Sequence, residues 1–188
     1  MAYLTVEALE SMGFKSVGEG VKISDKASIY DPEYIVLGDF SRIDDFCVIS
    51  GSVRIGRNVH IAPFCLVAGG EEGIIMEDFS GLAYGVQVFT QSDDYTGRTL
   101  TNPTICAKFK KEHKAGIRIG KHVIIGARSM VFPGVNLAEG CSVGAMTLVN
   151  KSTDPWGIYL GNPARRIKER KKDLLELEKQ FLKEQKFD

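Results

Sequence analysis

Residues 119–149 read IGKHVI-IGARSM-VFPGVN-LAEGCS-VGAMTL-V, five consecutive sixes closed by Val149. Each six opens on Ile, Val or Leu, and its fifth place holds Val, Ser, Cys or Thr. A surface helix repeats its apolar residues every three to four places and a strand every second place. A fixed period of six is instead the mark of a repeat architecture. The opening residue and the fifth must both point inward, and the fifth must be small or β-branched because three faces converge on a narrow core. Three sixes make one triangular coil of eighteen residues, as from 119 to 137. Stacked coils lie about 4.8 Å apart, as strands in any sheet do, and each coil protects its neighbour.

The same grammar extends toward the N-terminus. LGDFSR opens at 37, IDDFCV at 43, ISGSVR at 49, IGRNVH at 55 and IAPFCL at 61, with Val67 after them; MEDFSG opens at 76 and LAYGVQ at 82, followed by Val88. VGEGVK at 17 and ISDKAS at 23 read as an earlier, less regular coil. The step from 55 to 76 is twenty-one residues, which places a short bulging insertion at Gly69-Gly70-Glu71-Glu72-Gly73. The predicted fold is all-β: a left-handed parallel β-helix over 17–164, with a loop inserted at 89–116. A doubly wound α/β fold needs a helix after each strand, and there is no room for one. Residues 1–16 read as a helical cap with Thr5 at its N-cap and Glu7 in the first turn. Residues 165–188 read as a C-terminal helix whose stripe includes Ile167, Leu174, Leu175, Leu177, Phe181 and Leu182.

The charge balance excludes several classes of function. Lysines plus arginines number 24 and aspartates plus glutamates 24, so nothing in the bulk charge asks for nucleic acid or an anionic membrane. No basic stretch followed by an apolar run opens the chain, and no apolar run is long enough to span a bilayer. The expectation is a cytoplasmic protein. Cys47, Cys65 and Cys141 all fall at the fifth place of a six, which suits a small buried thiol. There is no C-x-x-C and no three-histidine zinc set, so no metal is expected.

Residues 89–116, FTQSDDYTGRTLTNPTICAKFKKEHKAG, break the rhythm for longer than a turn requires. A long loop on a rigid solenoid is where binding is expected. Asp93, Asp94, Tyr95, Arg98 and Asn102 offer hydrogen-bonding groups for a polyhydroxy substrate, and Lys108, Lys110, Lys111, His113 and Lys114 form a basic run.

The sixes, the loop and the closing WGIYLGNPARRIKER together resemble the hexapeptide-repeat acyltransferases over residues 17–170. DFSGLAYGVQVFTQSDDYTG followed by LTNPT is similar to the acetyltransferases of lipopolysaccharide and capsule gene clusters, with galactoside and maltose acetyltransferases more distant. The resemblance implies a homotrimer with sites in the clefts between subunits, and acetyl-CoA as co-substrate. It implies that Gly126, Ala127, Gly144 and Ala145 approach the pantetheine arm through exposed amides. Asn150 and Lys151 would lie near the nucleotide, Arg165 would contact coenzyme A, and Tyr84, Tyr95 and Asn102 would meet the acceptor.

Galactoside and maltose acetyltransferases carry a catalytic histidine where this chain has Asp93. Acetylating a hydroxyl needs a base near the attacking oxygen. Two arrangements are open. In one, His60, just before the inward Ile61, is the base and Asp93 or Asp94 orients it. In the other, Asp93 or Asp94 contacts the acceptor, and proton removal needs little help. An aspartate serves as base only where burial or a like charge raises its pKa, and Asp93-Asp94 is a like-charge pair. The leading expectation is O-acetylation of a sugar for surface polysaccharide, by direct attack on the thioester. The alternatives are N-acetylation of a nucleotide-linked amino sugar, a better nucleophile, and a non-catalytic β-helix scaffold.

Overall fold

The computed structural model describes residues 2–185; position 1 of the cap and positions 186–188 of the C-terminal segment lie outside them. The chain is a left-handed parallel solenoid of triangular section. Among the described residues, its three faces are sheets of six, eight and six strands. Within each face the strands of successive coils pair in parallel, as Leu37 with Ile55, Ile43 with Ile61 and Ile49 with Val67; the last strand of the eight is the exception. The strand at 74–76 pairs in register with 53–55, so the extra residues at 69–73 are absorbed in a turn. Beyond the loop, Met76 pairs with Ile119, so the stack resumes as though the insertion were absent.

The inward assignment holds along both columns. From Leu37 to Val149 every opening residue of a six is at most 3% exposed, and the fifth places from Ser41 to Thr147 are as dry. Cys47, Cys65 and Cys141 are free, buried thiols. Cys47 Sγ donates to Ala62 O at 3.1 Å and Cys65 Sγ to Ala83 O at 3.1 Å, so each thiol ties its coil to the next. The first coil is looser, with Val17 exposed and Ile29 half-buried.

Helix α1 spans Val6–Ser11, with the Thr5 hydroxyl accepting from Ala8 N at 3.2 Å. The C-terminal segment departs from expectation. Arg165–Glu169 form a strand, not the opening of a helix, and pair antiparallel with Gly157–Leu160. The last coil would otherwise expose an unpaired strand edge, and doubling the chain back covers it. Ile167 therefore belongs to this strand, while helix α2 spans Leu174–Glu184. No helix among the described residues is long and apolar enough to cross a membrane.

Candidate functional site

The corner between the second and third faces gathers many of the residues singled out above. At this corner the second places of successive sixes stack as Ser24, Asp44, Ala62, Ala83, Gly126 and Gly144. Tyr84, 64% exposed, follows the column's Ala83 by one place, its carbonyl accepting from Arg128 N at 2.9 Å. Ala127 is tied in turn to Met146 N at 2.8 Å. The glycines are there for packing: a Cβ on Gly126 would lie 2.5 Å from Ala145 N, and one on Gly144 would lie 2.4 Å from Leu160 Cδ1.

That packing corrects one expectation. The amides of Gly126 and Gly144 are not exposed donors, because they donate to Val143 O at 2.7 Å and Tyr159 O at 2.8 Å. Among the described residues, the coil ladder makes no use of the Ala127 and Ala145 amides. Donors for a bound ligand at this corner therefore shift by one residue, to the alanines. Arg165 lies exposed just above, on the hairpin whose Leu160 covers Gly144. Asn150 and Lys151 are exposed at the next corner, after the third-face strand Leu148–Val149. The strand Gln87–Phe89 that leads into the loop ends at that same corner.

The loop is ordered by its own polar groups. Gln91–Ser92 pair antiparallel with His113–Lys114 at its base. Asp94 accepts from Thr96 N at 2.8 Å and from Thr99 Oγ1 at 3.3 Å, while Asp93 accepts from Asn102 N at 3.3 Å. Asn102 spends its Oδ1 on Thr104, whose N lies at 3.0 Å and Oγ1 at 2.6 Å. Glu112 takes Lys110 at 2.7 Å and Lys114 at 3.5 Å, so part of the basic run is paired. Asp93, Asp94, Tyr95, Arg98, Lys111 and His113 line a hollow of 300 Å³. Hydrogen bonds from Thr96, the side chain first and then the amide, hold the Asp94 carboxyl below the usual carboxylate range. The like-charge pair therefore does not raise Asp94 into a general base; it keeps an anion in the loop.

His60 stands elsewhere, on the second face, and Asp93 and Asp94 do not orient it within the chain. Its Nε2 bonds Asp44 Oδ2 at 2.8 Å, and Arg42 Nε donates to the other Asp44 oxygen at 2.6 Å. Asp44 is 2% exposed. Burial works against its charge, but the hydrogen bonds of Arg42 and His60 outweigh this and hold its pKa below the ordinary value. Sequence reasoning passed over Asp44, although a carboxylate in a column of Ser, Ala and Gly was a signal. His122 is buried in the left-handed region at φ 60° with its Nε2 2.9 Å from Glu178. Among the described residues no cluster of three potential metal ligands exists.

Comparison with known proteins bears on this geometry. Residues 34–69 match the family model described as bacterial transferase hexapeptide (six repeats). The chain is 41% identical over 184 residues to dTDP-4-amino-4,6-dideoxy-D-glucose acyltransferase of Escherichia coli, spanning 96% of this chain and 95% of that one. It superposes with TM-score 0.96 on AntD, an N-acyltransferase from Bacillus cereus in complex with dTDP and 3-hydroxybutyryl-CoA, at 46% identity over 98% of each chain. A serine-to-alanine variant of AntD with dTDP-4-amino-4,6-dideoxyglucose and coenzyme A matches at TM-score 0.96 and 47% identity, over 97% of this chain and 98% of that one. A maltose O-acetyltransferase from Clostridium difficile 630 shares the fold at TM-score 0.58 and 22% identity, over 88% and 74% of the two chains. These findings overturn two expectations: the placement beside lipopolysaccharide and capsule O-acetyltransferases, and O-acetylation itself. The hexapeptide pattern encodes the coil, so it does not report the acceptor. Asp93 in the place of a histidine was the residue that spoke for an amine.

Proposed function

We propose that this chain, which belongs to the hexapeptide-repeat acyltransferases, transfers an acyl group from a coenzyme A thioester to the amine of a dTDP-linked amino sugar. The observation that carries the reading is the 46% identity with AntD over 98% of both chains. Acetyl-CoA is the simplest donor the reading admits.

The site's electrostatics favour an amine. A sugar amine is an ammonium near neutral pH, and the loop offers it the Asp93-Asp94 anion. Asp94 is held ionised by Thr96, while Asp93 has a single long bond to Asn102 N and keeps lone pairs for a ligand. Asp93 takes a proton from the ammonium, and the neutral amine that results attacks the thioester carbonyl. The C–N bond forms and the C–S bond breaks, and the nitrogen sheds its second proton, which the departing coenzyme A sulfur takes up. Proton removal is thus assigned to Asp93 rather than to His60, with Asp94 as the fixed anion beside it. Tyr84, Tyr95 and Asn102 contact the acceptor. Ala127 and Ala145 offer amides to the pantetheine arm beside Gly126 and Gly144. Arg165, Asn150 and Lys151 face the nucleotide portion of coenzyme A.

Tyr84 and the Ala127 corner are separated from the loop by the width of the third face. A homotrimer brings the loop of one copy to the corner of the next, and sedimentation should give three times 20.7 kDa. The reaction is tested by thiol release with a coenzyme A thioester and either dTDP-4-amino-4,6-dideoxyglucose or dTDP-glucose. Turnover with the amine alone supports the reading, and equal turnover with the hydroxyl sugar sinks it.

A further inference from the structure

At the corner between the second and third faces, the fourth residues of successive sixes take the left-handed conformation. They are Phe46, Phe64, Gly85, Arg128 and Met146, with φ from 53° to 67°. Their order in space is fixed by the backbone, because each amide donates to the third residue of the coil before it. Phe64 N donates to Asp45 O at 3.1 Å, Gly85 N to Pro63 O at 3.0 Å, Arg128 N to Tyr84 O at 2.9 Å and Met146 N to Ala127 O at 2.8 Å. Side chains in such a ladder lie one above another. Phe46 and Phe64 do so, with ring planes 17° apart and centres at 5.2 Å.

The next rung, Gly85, has no side chain. Phe46 covers one face of the Phe64 ring, and the other looks onto this empty rung; Phe64 is 63% exposed. Backbone conformation does not demand the glycine, since Phe46 and Phe64 hold the same φ. Packing does not demand it either, since a Cβ there would meet only Arg128 Cγ, at 3.6 Å. The other left-handed glycines at fourth places are filled by the chain itself. The Phe40 ring lies 2.7 Å from where a Cβ of Gly20 would stand, the Trp156 indole overlaps that of Gly140, and Ala115 comes within 3.3 Å of that of Gly134. Two of these gaps are thus closed by an aromatic ring of the protein, and the gap at Gly85 is not.

The gap has the thickness and the walls of a stacking site. Phe64 and Arg128 stand two coils apart, about 10 Å at ~4.8 Å per coil. A flat ring between them needs a contact of about 3.5–4 Å on each side. The lower wall is the open face of Phe64. The upper wall is the side chain of Arg128, which is exposed and makes no ion pair among the described residues. Aromatic rings and planar guanidinium groups both bind the faces of heterocyclic bases.

We propose that this slot holds a nucleobase, that of the dTDP acceptor, between the Phe64 ring and the Arg128 guanidinium. The inference rests on the donor and acceptor ends assigned under the proposed function. There the donor runs over Ala127 and Ala145 toward Arg165, so its adenine is carried through the coils beyond Gly85 and away from the slot. Tyr84, which contacts the acceptor, is the residue before Gly85.

Calorimetry with dTDP and with coenzyme A tests this on the wild type, Gly85→Phe, Phe64→Leu and Arg128→Met. The new phenylalanine and methionine are side chains that this column already carries at the same φ, and Gly85→Phe continues the Phe46–Phe64 stack into the gap. Gly85→Phe should raise the Kd for dTDP about 100-fold, and Phe64→Leu and Arg128→Met about tenfold each. The Kd for coenzyme A should stay within about twofold in Gly85→Phe and Phe64→Leu. Where Gly85→Phe does not fold, Phe64→Leu and Arg128→Met decide the matter. A loss of coenzyme A affinity in place of dTDP affinity would put the donor's adenine in the slot and overturn the assignment. A wild type that binds no dTDP sinks the acceptor reading and the slot together, whereas dTDP binding that Phe64→Leu leaves unchanged sinks the slot alone.

Discussion

The coils at 119–149 and the loop at 89–116 sit side by side and are held together by different means. In the coils, Ile119, Ile125, Val131, Leu137 and Val149 are fully buried, and every strand has a parallel neighbour. In the loop, Tyr95 is 91% exposed, and order comes from short side-chain bonds such as Asp94 to Thr96 N and Asn102 to Thr104 N. Burial of a periodic column fixes the backbone so firmly that glycines such as Gly126 have no room for a Cβ. Local polar turns fix only themselves, which leaves carboxylate lone pairs free for a ligand. Stability and chemistry are thus divided: substitutions in the coils should change folding and spare the reacting groups, and loop substitutions should do the reverse.

The strongest challenge to that division is a charge in the core. Ile125→Asp buries a carboxylate with no partner and should cost more than Ile125→Ala, itself expected to destabilise by roughly 2–5 kcal/mol. Urea denaturation measures both, and wild-type stability in either would undo the inward column. Next comes the loop. Asp93→Asn should lower kcat/KM for the amino sugar about 100-fold, or about 2.7 kcal/mol at 1.36 kcal/mol per tenfold, with an unchanged melting curve. His60→Ala should cost much less with an acetyl donor. The reverse ranking would return the base to His60.

Arg165→Ala should raise the KM for the thioester about tenfold and leave that for the acceptor near its wild-type value, since the arginine is exposed on the hairpin above Gly144. Steady-state kinetics with each substrate varied in turn reads this, and equal changes in both constants would remove Arg165 from the donor side. The smallest effect concerns Asp44, a polar inclusion in the coil region. Its folded pKa lies below the ordinary value of 3.8, so the folded state binds fewer protons than the unfolded one. The stability it contributes is present above that value and is lost as pH falls through the folded pKa. The stability gap between the wild type and Asp44→Ala should be constant from pH 7 to about pH 5 and shrink below about pH 4. A gap that instead grew with acid would contradict the ionised Asp44.

Legibility in the sequence followed the same division. The sixes placed the inward residues because each needs only its own position in the period to be assigned. The bulge at 69–73 was readable from a spacing of twenty-one rather than eighteen, and the pairing of Met76 with Ile55 bears it out. The strand at Arg165–Glu169 was not readable, since its partner is the edge of the last coil, a surface that exists only once the coils have stacked. The accessibility of the Gly126 and Gly144 amides was misjudged for a related reason: the carbonyls that occupy them belong to the next coil or to the strand that caps it.

By itself, then, the sequence determined the period, the three-faced section, the buried columns and the position of the loop. Each of these follows from the size and polarity of residues at fixed intervals, and no distant contact is needed to read them. The tertiary structure decided which groups meet across intervals: Asp44 with His60, Glu178 with His122, and α2 over the hollow left by Gly81. These depend on how the coils register and where the C-terminal helix settles. A one-dimensional pattern does not carry them, because a period specifies which way a side chain faces and not what lies opposite it.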